Sequence, residues 1–113
     1  MATINSVLGP LDTADIGFTL SHEHVITTSA GIQQMYPEFI DREGTIRRAI
    51  NELTEAYNEG LRTIVDVTTI DLGRDMQMLE QVSRETGVNI ICCTGVWRDI
   101  PRVFWTASPD DIA

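Results

Sequence analysis

Apolar residues follow two kinds of spacing along the 113-residue chain, and the two kinds alternate. Residues 18–26, 63–68 and 88–93 are short, largely apolar runs, as expected of strands in a buried parallel sheet. Residues 45–59 and 75–86 carry apolar side chains three or four positions apart, and a glycine follows each stretch, as at the end of an amphipathic helix. The alternation predicts a parallel α/β protein with β-α-β-α-β order.

Weaker signals flank these five elements. Residues 3–8 alternate weakly and meet Gly9-Pro10, a turn signal, so a short N-terminal β-hairpin is expected. Residues 27–44 contain two glycines and one proline and predict a long loop with one helical turn. Ser108-Pro109, followed by two aspartates, has the cap, the proline and the first-turn acids of a helix N-terminus. A further helix is therefore predicted to begin there, at the end of the chain.

The sulfur-containing residues are predicted to be structural. On the helix over 75–86, the pattern places Met76 towards the core and Met78 towards solvent. Cys92 and Cys93 are adjacent on a strand, where neighbouring side chains point to opposite faces and cannot easily form a disulfide with each other. We expect two reduced cysteines that act as small apolar residues in a cytosolic core, in preference to a metal or redox pair.

The acidic composition excludes several classes of partner. The formal net charge is −9 and the eight Lys and Arg residues are scattered, so neither nucleic acid nor an anionic membrane surface is an expected partner. No apolar run approaches the roughly 20 residues needed to span a bilayer. The first ten residues lack the pattern of a secretory signal. The predicted localisation is cytoplasmic.

His22 and His24, the only histidines of the chain, are the candidate metal ligands. Residues two apart on a strand share a face, so both imidazoles can reach one cation while Glu23 points the other way. They follow the apolar run Phe18–Leu20, near the carboxyl end of the predicted first strand. The alternative is two polar residues on a half-exposed strand. Asp66 could also reach inward, but a structural or supporting role suits it better.

Several segments together carry a more specific pattern. They are Gly17–Val25 (GFTLSHEHV), Ser29–Gly31 with Tyr36–Phe39 (SAG, YPEF), Thr63–Thr69 with Asp71–Asp75 (TIVDVTT, DLGRD), and Thr94–Trp97 (TGVW). In this order and at this spacing, they resemble the phosphotriesterase family of the amidohydrolase superfamily. The resemblance covers nearly the whole chain.

The resemblance implies a fold and a metal centre. The fold would be the N-terminal β-α-β-α-β portion of a (β/α)₈ TIM barrel, preceded by the hairpin, with residues 1–113 forming an incomplete part of one hydrolase domain. The cofactors would be two divalent metal ions, usually zinc, and His22 and His24 would hold the more buried one. The remaining ligands of the family, a carboxylated lysine, two histidines and an aspartate, would lie on strands beyond residue 113.

The resemblance also implies an activity. The family consists of binuclear metal-dependent hydrolases of organophosphate triesters, lactones or related esters. In them a hydroxide bridging the two metals attacks the phosphoryl or carbonyl centre, because the cations lower the pKa of water towards 7. The expected partner is a small-molecule ester, and the full-length protein is expected to be a homodimer.

Four residues match positions that shape the substrate pocket in the family. Trp97 could form a wall of an apolar pocket, although a core or dimer-interface position suits a tryptophan equally. Leu72 matches a small alkyl pocket and Thr27 another pocket position, with plain loop packing as the alternative for Leu72. Arg98 stands where the triesterases commonly have an aromatic residue, so it either favours a more polar substrate or points to solvent. The native substrate, triester or lactone, therefore stays open.

Two other hypotheses compete with an active hydrolase. The first is a catalytically inactive segment that lacks the remaining metal ligands. The second is a small flavodoxin-like domain that binds a phosphate at its strand-end loops, which the absence of a glycine-rich G-x-G-x-x-G or P-loop motif disfavours.

Overall fold

A parallel sheet and a separate hairpin organise the structure, a computed structural model that describes residues 2–112. Strands β1 (Thr3–Ser6) and β2 (Gly9–Asp12) pair antiparallel, and β3 (Phe18–Glu23), β4 (Leu61–Asp66) and β5 (Asn89–Cys92) form a parallel sheet in the order β3-β4-β5. The predicted α/β class, the parallel pairing and the N-terminal hairpin are confirmed. Between residues 2 and 112, no helix is both long and apolar enough to cross a membrane.

Four α-helices lie within the described residues: α1 (Ile32–Met35), α2 (Arg42–Asn58), α3 (Met76–Thr86) and α4 (Pro109–Ile112). Helix α2 begins three residues before the predicted start, because the carboxylate of Asp41 accepts a hydrogen bond from the N–H of Gly44 and caps the helix. The predicted end of α3 at Gly87 is confirmed, with a left-handed φ of 76°. The predicted start of α4 is also confirmed, because the N–H and hydroxyl of Ser108 both donate to the Asp111 carboxylate.

Several strand boundaries were predicted wrongly: β4 begins two residues earlier than predicted, and β5 is one residue shorter at each end. Strand β3 ends at Glu23 and not at residue 26, and β4 ends at Asp66 and not at residue 68. Both strands stop where side-chain oxygens take over the backbone donors, since the Asp66 carboxylate accepts the N–H groups of Val25 and Thr68. The hairpin turns at residues 7–8, and Gly9-Pro10 already belongs to β2.

The core lies between the sheet and the two long helices. Helices α2 and α3 pack against each other, and α2 also packs against β4 and α3 against β5. The prediction for the methionines of α3 was wrong: Met78 is fully buried, whereas Met76 is 37% exposed. Leu79 and Val82 are buried as predicted, and the buried face extends to Met78 and not to Met76. The buried apolar residues are Ile46, Leu61, Ile64, Met78, Leu79, Val82, Val88 and Ile90.

The entry of β3 into the sheet needs a residue without a side chain. Gly17 has φ of 62°, and a Cβ atom added there would lie 2.7 Å from Cβ and Cγ of Arg62 on β4. Arg62 cannot withdraw freely, because its guanidinium donates to the carbonyl of Tyr57 and lies over the ring of that residue. Close approach of the two strands at this end therefore depends on glycine.

We expect Gly17→Ala to destabilise the chain more than Gly95→Ala. Gly95 has φ of 78° and no atom within 4 Å of an added Cβ, so its substitution adds only backbone strain of about 1–2 kcal/mol. Gly17→Ala adds a steric clash costing at least about 1 kcal/mol more. Urea unfolding of the two variants measures the difference, and equal losses would contradict the close approach.

Candidate active site

The carboxyl ends of the three parallel strands lie level and form the rim of a cavity. Glu23, Asp66 and Cys92 are register partners at the ends of β3, β4 and β5. The loops that follow these strands all contribute to an open cavity of about 510 Å³. Its lining includes His22, His24, Thr27, Leu72, Trp97 and Cys93. The sheet therefore brings together side chains that are up to 75 positions apart in the sequence, from 22 to 97.

The two histidines line this cavity side by side. His22 is the penultimate residue of β3 and His24 follows the strand directly. Their ring centroids are 5.6 Å apart and their planes meet at 73°. Two imidazoles that share one ion have centroids roughly 5 Å apart, given metal–nitrogen distances of about 2.0–2.1 Å. Both side chains are exposed, so the spacing and access fit two ligands of one cation.

A hydrogen bond to Thr68 orients the ring of His24. The Nδ1 atom of His24 lies 3.0 Å from Oγ1 of Thr68, a residue that is 2% exposed. The Thr68 hydroxyl has a single hydrogen, which it donates to the carbonyl of Ile26 at 3.4 Å. In the tautomer that matches this donation, the Thr68 oxygen accepts from Nδ1–H and the lone pair of His24 lies on Nε2. A ring nitrogen held in this way is the usual support of a histidine that binds a metal.

Asp66 holds the histidine and its hydroxyl partner in place. The side chain is completely buried. Its Oδ2 accepts from the N–H of Val25 at 2.9 Å, next to His24, and its Oδ1 accepts from the N–H of Thr68 at 2.8 Å. The carbonyl of Asp66 accepts from the N–H of Cys93 at 3.0 Å. One residue thus joins the loops after all three strands, in the supporting role that its place on β4 predicted.

The cysteines are free, and Cys93 is a neutral part of the cavity lining. Burial raises the pKa of the Cys93 thiol, the guanidinium of Arg74 lowers it, and Asp66 and Cys92 raise it further. The pKa is raised overall, so the thiol stays protonated at neutral pH. A protonated thiol is a poor nucleophile and a poor metal ligand.

Three of the four residues predicted to shape a substrate pocket lie in the lining. Thr27, Leu72 and Trp97 share the cavity with the histidines, and Trp97 is 67% exposed and thus outside the core. Arg98 is exposed and is not among the lining residues. Sequence reasoning missed the role of Thr68, although a hydroxyl side chain two residues after the end of a buried strand could have signalled it.

The described residues offer two candidate ligands for a metal ion, His22 and His24. Across residues 2–112, no group of three or more His, Cys, Asp or Glu side chains is close enough to hold a metal ion. Zinc sites take three or four protein ligands. The spacing and exposure of the His22 and His24 imidazoles fit two positions of such a site.

We expect Asp66→Asn to reduce the free energy of unfolding by about 1–3 kcal/mol, the cost of one unsatisfied buried donor. An amide has a single oxygen, so either the Val25 or the Thr68 N–H group loses its acceptor. Asp110→Asn, the same change at an exposed aspartate, is the control and should be nearly neutral. Chemical unfolding measures both, and equal stability of the two variants would show that Asp66 does not hold the loops.

Comparison with known proteins identifies similar sequences along the whole chain. A sequence model of the phosphotriesterase family matches residues 2–111. An aryldialkylphosphatase of Saccharolobus solfataricus is 39% identical over 105 residues, which cover 91% of this chain and 33% of that protein. A phosphotriesterase homology protein of Mycobacterium tuberculosis is 40% identical over 112 residues, covering 96% of this chain and 34% of that protein.

A more distant relative has a different named substrate. The N-acetyltaurine hydrolase of Xenopus tropicalis is 29% identical over 135 aligned positions, which cover 93% of this chain and 38% of that protein. The chain thus spans about a third of the length of the curated relatives it matches.

Proposed function

Because the chain belongs to the phosphotriesterase family, we propose that it forms part of the active site of a binuclear metal-dependent hydrolase. The observation that carries the proposal is the pair of imidazoles on one cavity wall, with Nδ1 of His24 held by Thr68. Family membership also excludes the flavodoxin-like alternative. The names of the relatives describe hydrolases of different compounds, so hydrolysis is the common element.

His22 and His24 would hold one of two divalent cations, zinc in our proposal. When bound, the cations supply the Lewis acidity that activates water at neutral pH and polarises the scissile group of a phosphotriester or lactone. Thr68 keeps the His24 ring in one orientation and one tautomer. Neutral imidazoles add no charge to the site, so they leave the full charge of the cations available to the reaction.

The apolar lining would bind the organic groups of the substrate. Leu72 and Trp97 lie in the same cavity as the histidines, together with Val67 and Val96. Apolar surface gains from covering ester substituents, and covering them also removes water from around the reacting bond. We propose a small-molecule ester, organophosphate or lactone, as the substrate. Arg98, at the edge of this wall, would act on polar substituents.

The barrel itself is part of the proposal. Strands β3, β4 and β5 would be the first three strands of a (β/α)₈ barrel, with residues 1–113 in its N-terminal part. The exposed side chains of Phe18 and Leu20 on β3 support this, since a neighbouring strand or helix would cover them. The remaining metal ligands would come from the other strands. We further propose a cytoplasmic homodimer as the full protein.

The two histidine donors also favour a second candidate, a chain that is catalytically inactive by itself. With two histidines and no third ligand near them in residues 2–112, the 113-residue chain would bind a metal weakly and would not turn over substrate alone. An inactive chain and an active complete barrel are compatible, because they describe two different polypeptides.

We expect His22→Ala and His24→Ala to remove metal and activity from a protein that carries this chain within a complete barrel. With zinc or cobalt, hydrolysis of paraoxon or a homoserine lactone should fall at least about 100-fold, since removing a ligand exceeds the effect of removing its support. The 113-residue chain alone should show no turnover. Full metal content and full rate in both variants would refute the ligand assignment.

In a protein that carries this chain within a complete barrel, we expect Thr68→Val to weaken metal binding by about 10–100-fold. Thr68→Ser should bind the metal nearly as well as the unsubstituted protein does. Valine has the shape of threonine without the hydroxyl that orients His24, and serine keeps that hydroxyl. Competition with a chromophoric chelator measures the affinity. Equal affinities for the valine and serine variants would mean that the hydrogen bond does not prepare His24 for a ligand.

A further inference from the structure

We propose that Asp71 is a positioning residue that fixes the loop Trp97–Asp99 and, through it, the aromatic wall of the cavity. The inference rests on the proposed function in one respect, namely that the cavity binds substrate. The hydrogen bonds between the Asp71 carboxylate and the backbone of that loop do not depend on the proposed function.

The carboxylate of Asp71 accepts three successive backbone N–H groups. Its Oδ1 accepts from Trp97 at 3.0 Å, and its Oδ2 accepts from Arg98 at 3.0 Å and from Asp99 at 3.1 Å. The hydroxyl of Thr69 donates to Oδ1 as a fourth partner. A carboxylate offers about four acceptor positions, so all are used. An asparagine would offer one oxygen and could not accept all four donors.

The support behind Asp71 is firm. It lies in a single 3₁₀ turn, Ile70–Leu72, which closes with hydrogen bonds from the N–H of Leu72 to Thr69 and from Gly73 to Ile70. The carbonyl of Leu72 also accepts from the N–H of Thr28 at 2.8 Å. The turn that carries Asp71 therefore connects the loops after β3, β4 and β5, and it places Leu72 in the cavity lining.

The loop has little else to hold it. Trp97 is 67% exposed and Ile100 is 59% exposed, and Arg98 and Asp99 are also exposed. Apolar packing therefore contributes little to the order of this segment. Hydrogen bonds to a charged acceptor are the stronger kind, so the three backbone bonds are the main restraint on Trp97.

The Asp71 clamp, meaning the Asp71 carboxylate with its hydrogen bonds to Trp97, Arg98 and Asp99, is negatively charged near neutral pH. Desolvation raises the pKa of Asp71, but the hydrogen bonds from Thr69, Trp97, Arg98 and Asp99 together outweigh it and hold the pKa well below its usual value. The carboxylate is thus ionised wherever the protein is expected to work.

Hydrogen exchange on the chain tests the clamp directly. In the unsubstituted chain, the amide protons of Trp97, Arg98 and Asp99 should exchange slowly for an exposed loop. Asp71→Asn should speed their exchange by about tenfold or more, as expected for the loss of one charge-assisted hydrogen bond. The amide of Val82 in α3 should not change, nor should any of these in the control Asp110→Asn. Exchange of the three amides at unprotected rates in the unsubstituted chain would overturn the proposal without any variant.

Steady-state kinetics in a protein that carries the complete barrel test whether the Asp71 clamp affects substrate binding. Asp71→Asn should raise KM for aryl esters at least about threefold and leave metal content and kcat within about twofold, since it removes binding that is equal in ground and transition states. A fall in kcat or metal content with unchanged KM would overturn the positioning role. Absence of hydrolysis in the unsubstituted protein would refute the proposed function instead, and the exchange experiment would still decide on the clamp.

Discussion

The carboxylate of Asp66 is completely buried and accepts two backbone hydrogen bonds. One comes from the loop after β3 and the other from the loop after β4. A buried carboxylate is costly unless it is fully hydrogen-bonded, and here backbone N–H groups of Val25 and Thr68 satisfy it. Those same bonds end β3 and β4 at the same level and set His24 against the Thr68 hydroxyl. The end of the sheet and the orientation of the candidate ligand thus depend on one polar residue in an apolar strand.

Asp71 extends the same principle to the third loop. The Asp66 carboxylate lies within the sheet and joins the loops after β3 and β4, whereas the Asp71 carboxylate lies at the surface and joins the loops after β4 and β5. In both cases a short side chain replaces a backbone partner, so the loops gain order without a large apolar core of their own. A rim of this kind can be rigid near the histidines while its outer side chains, such as Trp97, stay exposed to a ligand.

The sequence predicted the order of elements well and their ends less well. Glycine at position 87 and the Ser108-Pro109 start are local signals, and the structure confirms both. The end of β3 depends on a contact between Val25 and Asp66, 41 positions away, which no local pattern contains. The contact that ends β4, between Asp66 and Thr68, spans only two positions, but its acceptor is a side chain and not a backbone group. Likewise, which of the methionines of α3 is buried depends on how the helix rotates against its neighbours, and two positions of the same apolar type could not be distinguished by spacing.

In the candidate site, too, local spacing was predictable from the sequence and long-range contacts were not. Spacing on a strand predicted that His22 and His24 share a face, and their rings lie 5.6 Å apart on one cavity wall. The tautomer of His24 depends on Thr68, 44 positions along the chain, and the clamp of Asp71 on donors 26 to 28 positions away. Supporting contacts of this kind need the folded chain, because hydroxyl and carboxylate side chains serve many local purposes in a sequence.

Nitrogen NMR of the two histidine rings decides whether His22 and His24 bind a metal ion. Zinc would be added to a protein that carries this chain within a complete barrel, with the histidines labelled with ¹⁵N. We expect one ring nitrogen of each histidine to shift on binding; for His24 it should be Nε2, while Nδ1 stays protonated towards Thr68. Zinc binding that leaves the ring nitrogens of both residues unchanged would contradict it.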